Sequence, residues 1–198
     1  KSIETLARVN VLCVDKTGTI TKNEMEVSGV KNVSSELSNE ELHGLLGDFV
    51  LALDADNITM KALKEYFDKN TGRVCKNKFG FSSTYKYSAC EFEDANYILG
   101  APEFVLRDDY ENYREYVEKH SENGERVVVL AKYDGVLTGK ALDSKANAIA
   151  FVTLTNLIRD NARQTFEYFR DEGVSIKVIS GDNPLTVSKI AMQAGIEG

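Results

Sequence analysis

The nearly unbroken apolar run Val9-Asn10-Val11-Leu12-Cys13-Val14 ends in Asp15-Lys16-Thr17-Gly18-Thr19. No other junction constrains the fold as tightly. A short, β-branched run of this kind suits a strand of a parallel sheet covered on both faces. A carboxylate at the carboxyl end of such a strand, followed by a Thr/Gly turn, stands where open α/β sheets place their ligands.

A second stretch of the same character closes the chain. Residues 148–198 read as strand, helix, strand, helix. Ala148–Leu154 is the first strand, and Ala162, Phe166 and Phe169 share one helical face. Gly173 stops that helix, and Val174, Ile176 and Val178 alternate along the next strand. Ser180-Gly181-Asp182-Asn183-Pro184 follows, with Pro184 suited to a first helical turn. Right-handed crossovers put the carboxyl ends of parallel strands on one edge. Asp15 and Ser180 are therefore predicted to face one another. Taken alone, Ser180–Asn183 reads equally as a helix-capping turn.

The intervening residues read as an insertion with its own core. Ser38 and Glu41 form a capping box before a helix running to about Leu53. A second helix is predicted over Thr59–Asp68, with others from Pro102 and over Asp109–Asn123. Strands are predicted at Thr84–Phe92, Tyr97–Leu99 and Arg126–Tyr133, and Asp134-Gly135 reads as a hairpin turn.

The net charge of -7 over 198 residues argues against nucleic-acid binding, which favours basic stripes. No apolar run approaches the ~20 residues needed to span a membrane, so direct membrane insertion is not expected. Cys13, Cys75 and Cys90 show no metal-ligand spacing, and Cys13 is predicted to be a buried thiol. His43 and His120 stand alone in helical stretches and are not read as metal ligands.

The stretch Asp15–Val27, DKTGTITKNEMEV, resembles the phosphorylation motif of the P-type ATPases, ion pumps of the haloacid dehalogenase superfamily. The resemblance extends along the chain. Phe81-Ser82-Ser83-Thr84-Tyr85-Lys86 is similar to the FSSxxK-type element of those pumps' nucleotide-binding domain. Gly100-Ala101-Pro102-Glu103 is similar to the tail of their KGAPE element, and Ser180-Gly181-Asp182 to their TGD motif. Arg126, within Gly124-Glu125-Arg126-Val127, matches an arginine that contacts phosphates.

The resemblance implies an α/β fold. An incomplete, Rossmann-like parallel-sheet phosphorylation domain (1–21 and 148–198) is interrupted by an α+β nucleotide-binding domain with an antiparallel sheet (22–147). It implies Asp15, Lys16 and Thr17 as catalytic residues, with Mg²⁺ on the Asp15 carboxylate and the Thr17 carbonyl. Thr19, Ser180, Gly181, Asp182 and Arg159 would bind phosphate. Phe81, Ser83, Lys86, Gly100, Ala101 and Arg126 would bind ATP, with Phe81 stacked on adenine. Phe81 reads equally as a core aromatic, and Arg126 as a solvated strand residue.

Three positions depart from the pattern. Leu99 replaces the KGAPE lysine, removing a cation beside the nucleotide. Met60 stands near an acidic adenine contact, and Asn156-Leu157-Ile158-Arg159 replaces a DPPR-type element while keeping Arg159. The chain stops at Gly198, before the lysine and GDGxND-type motif that would add a second Mg²⁺ ligand. It is therefore read as part of a pump, on the cytoplasmic side of a membrane and not catalytically complete alone. Its partners would be the membrane helices, the actuator domain and the rest of the phosphorylation domain.

A stand-alone phosphatase of the superfamily is the competing reading, and a non-catalytic nucleotide-binding module derived from a pump is a third. Those phosphatases carry a second Asp two residues after the nucleophile, working as general acid and base. Thr17 occupies that position here and cannot do this work.

Overall fold

The computed structural model describes residues 9–180 and 184–196. Residues 1–8, whose sequence reads as a short helical lead-in, and the turn residues Gly181 to Asn183 lie outside them. In chain order the elements are β1 (Val11–Asp15), a wide turn (Lys16–Ile20), β2 (Thr21–Asn32), α1 (Asn39–Ala52) and α2 (Ile58–Tyr66). Strands β3 (Asn77–Phe79), β4 (Tyr87–Glu91) and β5 (Asn96–Gly100) follow, then α3 (Pro102–Leu106), a 3₁₀ turn (Arg107–Tyr113) and α4 (Arg114–Glu122). The chain continues through β6 (Arg126–Tyr133), β7 (Ala146–Ile158), α5 (Ala162–Asp171), β8 (Ser175–Ile179) and α6 (Pro184–Gln193).

The strands form two sheets. One is a parallel pair, β1 and β8; the other has six strands in the order β2-β7-β6-β5-β4-β3. The chain divides into two compact units: Lys1–Glu24 with Ser121–Gly124 and Asn156–Gly198, and Met25–His120 with Glu125–Thr155.

In the first unit, β1 and β8 run in parallel register from Val11↔Ser175 to Asp15↔Ile179. Val14 and Ile20 pack with Ala162 and Phe166 of α5 and with Ile190, Ala191 and Ala194. Only one face of β1 is covered by these groups. Val14 is buried and Leu12 partly so, whereas Cys13, pointing the other way, is exposed. The buried thiol expected at Cys13 is thus corrected by the alternation of the strand itself.

In the second unit, the antiparallel sheet is covered on both faces. One face packs Met60 and Leu63 of α2 and Leu42, Leu45, Leu46 and Phe49 of α1 against Leu99, Val128, Leu130 and Leu154. The other packs Val105, Leu106 and Val117 against Ile98, Val127, Val129 and Phe151. Two-sided burial explains why Ala148–Leu154 reads as a parallel core strand. It belongs instead to β7, antiparallel to β6 from Arg126↔Leu154 to Tyr133↔Ala146. The strand–helix–strand–helix order of the C-terminal piece is present as β7, α5, β8 and α6; what is corrected is the sheet to which its first strand belongs.

Other boundaries shift for local reasons. The strand expected from Thr84 begins at Tyr87, because Lys86 N–H donates to Ser82 C=O at 2.7 Å and closes a turn. Asp134-Gly135 does not close a two-residue hairpin. Residues 134–145 form a longer excursion, with Asp134 N–H bonded to Lys145 C=O and Tyr133 Oη 2.7 Å from Asp143 Oδ1. The capping box is present as expected, Ser38 and Glu41 each bonding the other's backbone N–H. Among the described residues no helix is long and apolar enough to cross a membrane.

Helix α1 also holds down the loop that follows α2. Asp48, a buried carboxylate, accepts hydrogen bonds from the Thr71 N–H at 2.8 Å and the Gly72 N–H at 3.0 Å, and from the Thr71 hydroxyl. A buried carboxylate is tolerated when it is bonded in this way. The loop lies so close that a Cβ on Gly47 would stand 1.7 Å from the Lys69 carbonyl oxygen. Gly47→Ala is expected to destabilise the fold by about 1–3 kcal/mol, read as a lower urea midpoint. An unchanged midpoint would remove the close-packing account of this loop.

Candidate active site

The parallel register brings the two sequence-distant motifs of the first unit together. Asp15, exposed at the end of β1, pairs with Ile179, and Ser180 is the next residue along β8. The register thus puts the carboxyl ends of β1 and β8, one ending in Asp15 and the other leading into Ser180, at the same edge; Gly181 and Asp182 lie outside the described residues.

The turn after Asp15 is irregular. Thr17 is extended and Gly18 takes a left-handed φ of 78°, which glycine adopts without strain. The Lys16 carbonyl accepts from the Thr21 N–H and, at 3.3 Å, from the Thr21 hydroxyl. The Lys16 side chain is only 7% exposed, whereas Thr17 and Thr19 are exposed.

Arg159 holds this turn directly. Its Nε donates to the Gly18 carbonyl at 3.0 Å, its Nη2 to the same oxygen, and its N–H to the Ile20 carbonyl at 3.0 Å. A cleft of about 340 Å³ adjoins, lined by Gly18, Thr19, Arg159, Thr165, Phe166 and Phe169 among others. In the structure, then, the Arg159 guanidinium buttresses the turn carrying the predicted phosphate ligands.

The predicted nucleotide ligands lie in the second unit. Phe81 is 46% exposed, so its ring is not a core aromatic, and Ser83 and Lys86 are also exposed. Lys86 takes a left-handed φ of 60°. Its carbonyl accepts from Ala101 N–H at 3.0 Å, and a Cβ on Gly100 would stand 2.3 Å from the same oxygen. Gly100 is thus required because the backbone of the Phe81–Lys86 turn presses on it. Lys86, Gly100 and Ala101 are brought together.

Arg126 opens β6, and its Nη1 donates to Thr59 Oγ1 at 2.5 Å. Thr59 lies in the first turn of α2, whose N-cap is Asn57. Asp56, just before that cap, has Oδ2 4.0 Å from the Cβ position of Gly80, next to Phe81. Sequence reasoning missed Thr59 and Asp56; the Asn57 capping signal at the start of α2 could have flagged both. Leu99 and Met60, the two departures nearest the nucleotide motifs, are each 4% exposed and share one apolar core cluster. A lysine at position 99 would enter that core, where a charge is costly unless paired.

Glu125, directly before Arg126, is held on several sides. Its Oε1 accepts from Ser28 Oγ at 2.6 Å and its Oε2 lies 2.5 Å from His120 Nδ1. Partial burial pushes this carboxyl up, but the Ser28 and His120 hydrogen bonds and the His120 charge outweigh it. The net direction is downward from the ordinary 4.5. A depressed folded value means that Glu125 stabilises the fold fully above the ordinary carboxyl value. That contribution is lost as pH falls through the lower, folded one. Replacing Glu125 by Gln should therefore flatten the acid limb of stability measured by urea unfolding between about pH 6 and pH 3. An identical acid limb in the variant would contradict this.

Comparisons with known proteins identify the family of the chain. The haloacid dehalogenase-like hydrolase family matches residues 9–198. The chain is 37% identical over 202 residues to a Streptococcus pneumoniae protein named Probable cation-transporting ATPase exp7, covering 98% of this chain and 25% of that one. It is 34% identical over 198 residues to Calcium-transporting ATPase CtpE of Mycobacterium tuberculosis, covering 100% of this chain and 25% of that protein. Its fold matches that of a zinc-transporting PIB-type ATPase in the E2.Pi state, with a TM-score of 0.72 at 18% identity, over 98% of this chain and 29% of that one. The chain spans about a quarter of the length of the curated relatives it matches. An aspartate at the end of a parallel strand, a glycine turn behind it and an inserted antiparallel sheet are thus accounted for together: the chain belongs to the haloacid dehalogenase-like hydrolases, and its relatives along its whole length are P-type cation-transporting ATPases.

Proposed function

We propose that this chain is the catalytic head of an ATP-driven cation pump, on the cytoplasmic side of a membrane, with Asp15 as the phosphoryl acceptor. The observation that supports the reading is the register Asp15↔Ile179, which pairs Asp15 with the last residue of β8, one position before Ser180. The second unit would grip ATP and the first would carry the nucleophile.

In the proposed reaction an Asp15 carboxylate oxygen attacks the γ-phosphorus of ATP. A bond forms between that oxygen and phosphorus, the bond from phosphorus to the β,γ-bridging oxygen breaks, and ADP leaves. Ser180 would donate to the phosphoryl oxygens, and Arg159 would keep the Gly18 turn in place. Thr17 offers no carboxyl to activate water, so the acyl phosphate is expected to outlive that of a phosphatase. Lifetime of that kind is what coupling to transport requires.

The donor set suits Mg²⁺. This hard cation is ordinarily bound through one or two carboxylates together with substrate phosphates and water. Asp15 and the Thr17 carbonyl would hold it, with no cluster of three or more His, Cys, Asp or Glu side chains among the described residues. When bound, it would neutralise charge on the transferring phosphoryl group.

Nucleotide binding is tested by titrating the chain with ATP, followed by calorimetry or NMR. Saturable binding worth about 4–6 kcal/mol, a high micromolar to millimolar dissociation constant, is expected. Phe81→Ala and Arg126→Ala should each weaken it strongly; a folded chain that does not bind would overturn the reading. In a full-length pump carrying this sequence, Asp15→Asn should abolish the acid-stable, hydroxylamine-sensitive phosphoenzyme. Persistent labelling would remove Asp15 from its role.

A further inference from the structure

Glu125 directly precedes Arg126, the first residue of β6, and the two have opposite surroundings. Successive residues of a strand face opposite sides of the sheet. Val127 and Val129 belong to the core under α4, and Val128 and Leu130 to the core under α1 and α2. By that alternation Glu125 falls on the α4 side, where His120 is, and Arg126 on the α2 side, where Thr59 is.

On its own side Glu125 is fixed by side chains from two elements, one of them braced by a third. Ser28 of β2 donates to one carboxylate oxygen, and Ser28 Oγ lies 3.0 Å from Thr153 Oγ1 of β7. His120 at the end of α4 meets the other oxygen. An ionised carboxylate only accepts, so the hydrogen of that contact belongs to His120 Nδ1. The His120 ring lies 4.6 Å from that of Tyr116, and the Lys31 ammonium sits 4.1 Å over the Tyr116 ring from its other neighbour, β2. The backbone is tied too, since Glu125 N–H donates to the His120 carbonyl at 3.1 Å.

We propose that Glu125, clamped by Ser28 and His120, is a positioning residue that presents Arg126 to the phosphates of a bound nucleotide. The proposal rests on the nucleotide-binding reading above. Two physical effects follow from the clamp. The first residues of β6 are pinned, so the Arg126 guanidinium starts from one backbone position beside Thr59. The Glu125 charge is also engaged on the far side of the sheet, so it does not compete with a phosphate for the adjacent arginine.

A phosphate-free ligand separates positioning from general damage. ATP and adenosine are titrated in parallel by NMR into the wild-type chain and into Glu125→Gln, Ser28→Ala and Ser28→Thr. Glu125→Gln and Ser28→Ala should weaken ATP about three- to tenfold while leaving adenosine unchanged. Ser28→Thr, which keeps the hydroxyl, should restore ATP affinity. Unchanged ATP affinity in both loss variants, or equal weakening of ATP and adenosine, would overturn the proposal while leaving nucleotide binding intact. If Glu125→Gln does not fold, the Ser28 pair decides in the same way. A folded wild-type chain that fails to bind ATP would overturn the nucleotide reading and this proposal with it.

Discussion

The parallel pairing of β1 with β8 is the constraint on which the chemistry proposed for the first unit depends. Its hydrogen bonds fix register to a single residue, because a slip by one would turn every side chain to the other face. Val14 would then leave the core formed with Ala162 and Phe166, and the apolar packing opposes that. On the proposed reading, a packing preference thus becomes a catalytic one. The same register that buries Val14 puts Asp15 beside the end of β8. Arg159, just past the end of β7 and 141 residues from Gly18, completes the arrangement by bonding to the turn at Gly18 and Ile20.

The second unit solves a different problem, displaying polar groups from a sheet whose two faces are both buried. It does so at strand ends and turns. Phe81 and Lys86 sit in the turn before β4, Ala101 follows β5, and Arg126 opens β6. These are the places where a strand leaves its apolar layers and a side chain can reach solvent without carrying charge into the core. Leu99, one residue inside β5, falls on the other side of that boundary. Its burial beside Met60 shows that the local environment is built for hydrocarbon.

Much of this was legible in the sequence, and the failures have physical causes. The run ending at Asp15 identified its strand, and the resemblance at Asp15–Val27 pointed to its chemistry. The Ser38–Glu41 box located α1 to within a residue. Residues 21–32 were missed as β2, although Met25 and Val27 alternate with Glu24, Glu26 and Ser28, because charge and a short pattern concealed the strand. β7 was assigned to the wrong sheet because a run buried on both faces looks alike in parallel and antiparallel settings. The contacts of Thr59, Ser28 and His120 with the site were invisible, since each joins residues far apart in the chain or separated by a turn. Hydroxyls and single histidines carry no periodic signature.

Lys86 has a further consequence. A non-glycine residue with φ of 60° sits in the left-handed region, where a Cβ costs about 1 kcal/mol or more relative to glycine. Glycine would relax that backbone, and the turn would still bond Ala101. On the proposed reading, the lysine is there for its ammonium group and against the preference of its own backbone. Selection for robustness and selection for ligand affinity would then pull this position apart. Variants chosen for thermal hardiness alone would drift toward glycine at 86 and lose grip on anions, a trade-off that the fold itself cannot remove.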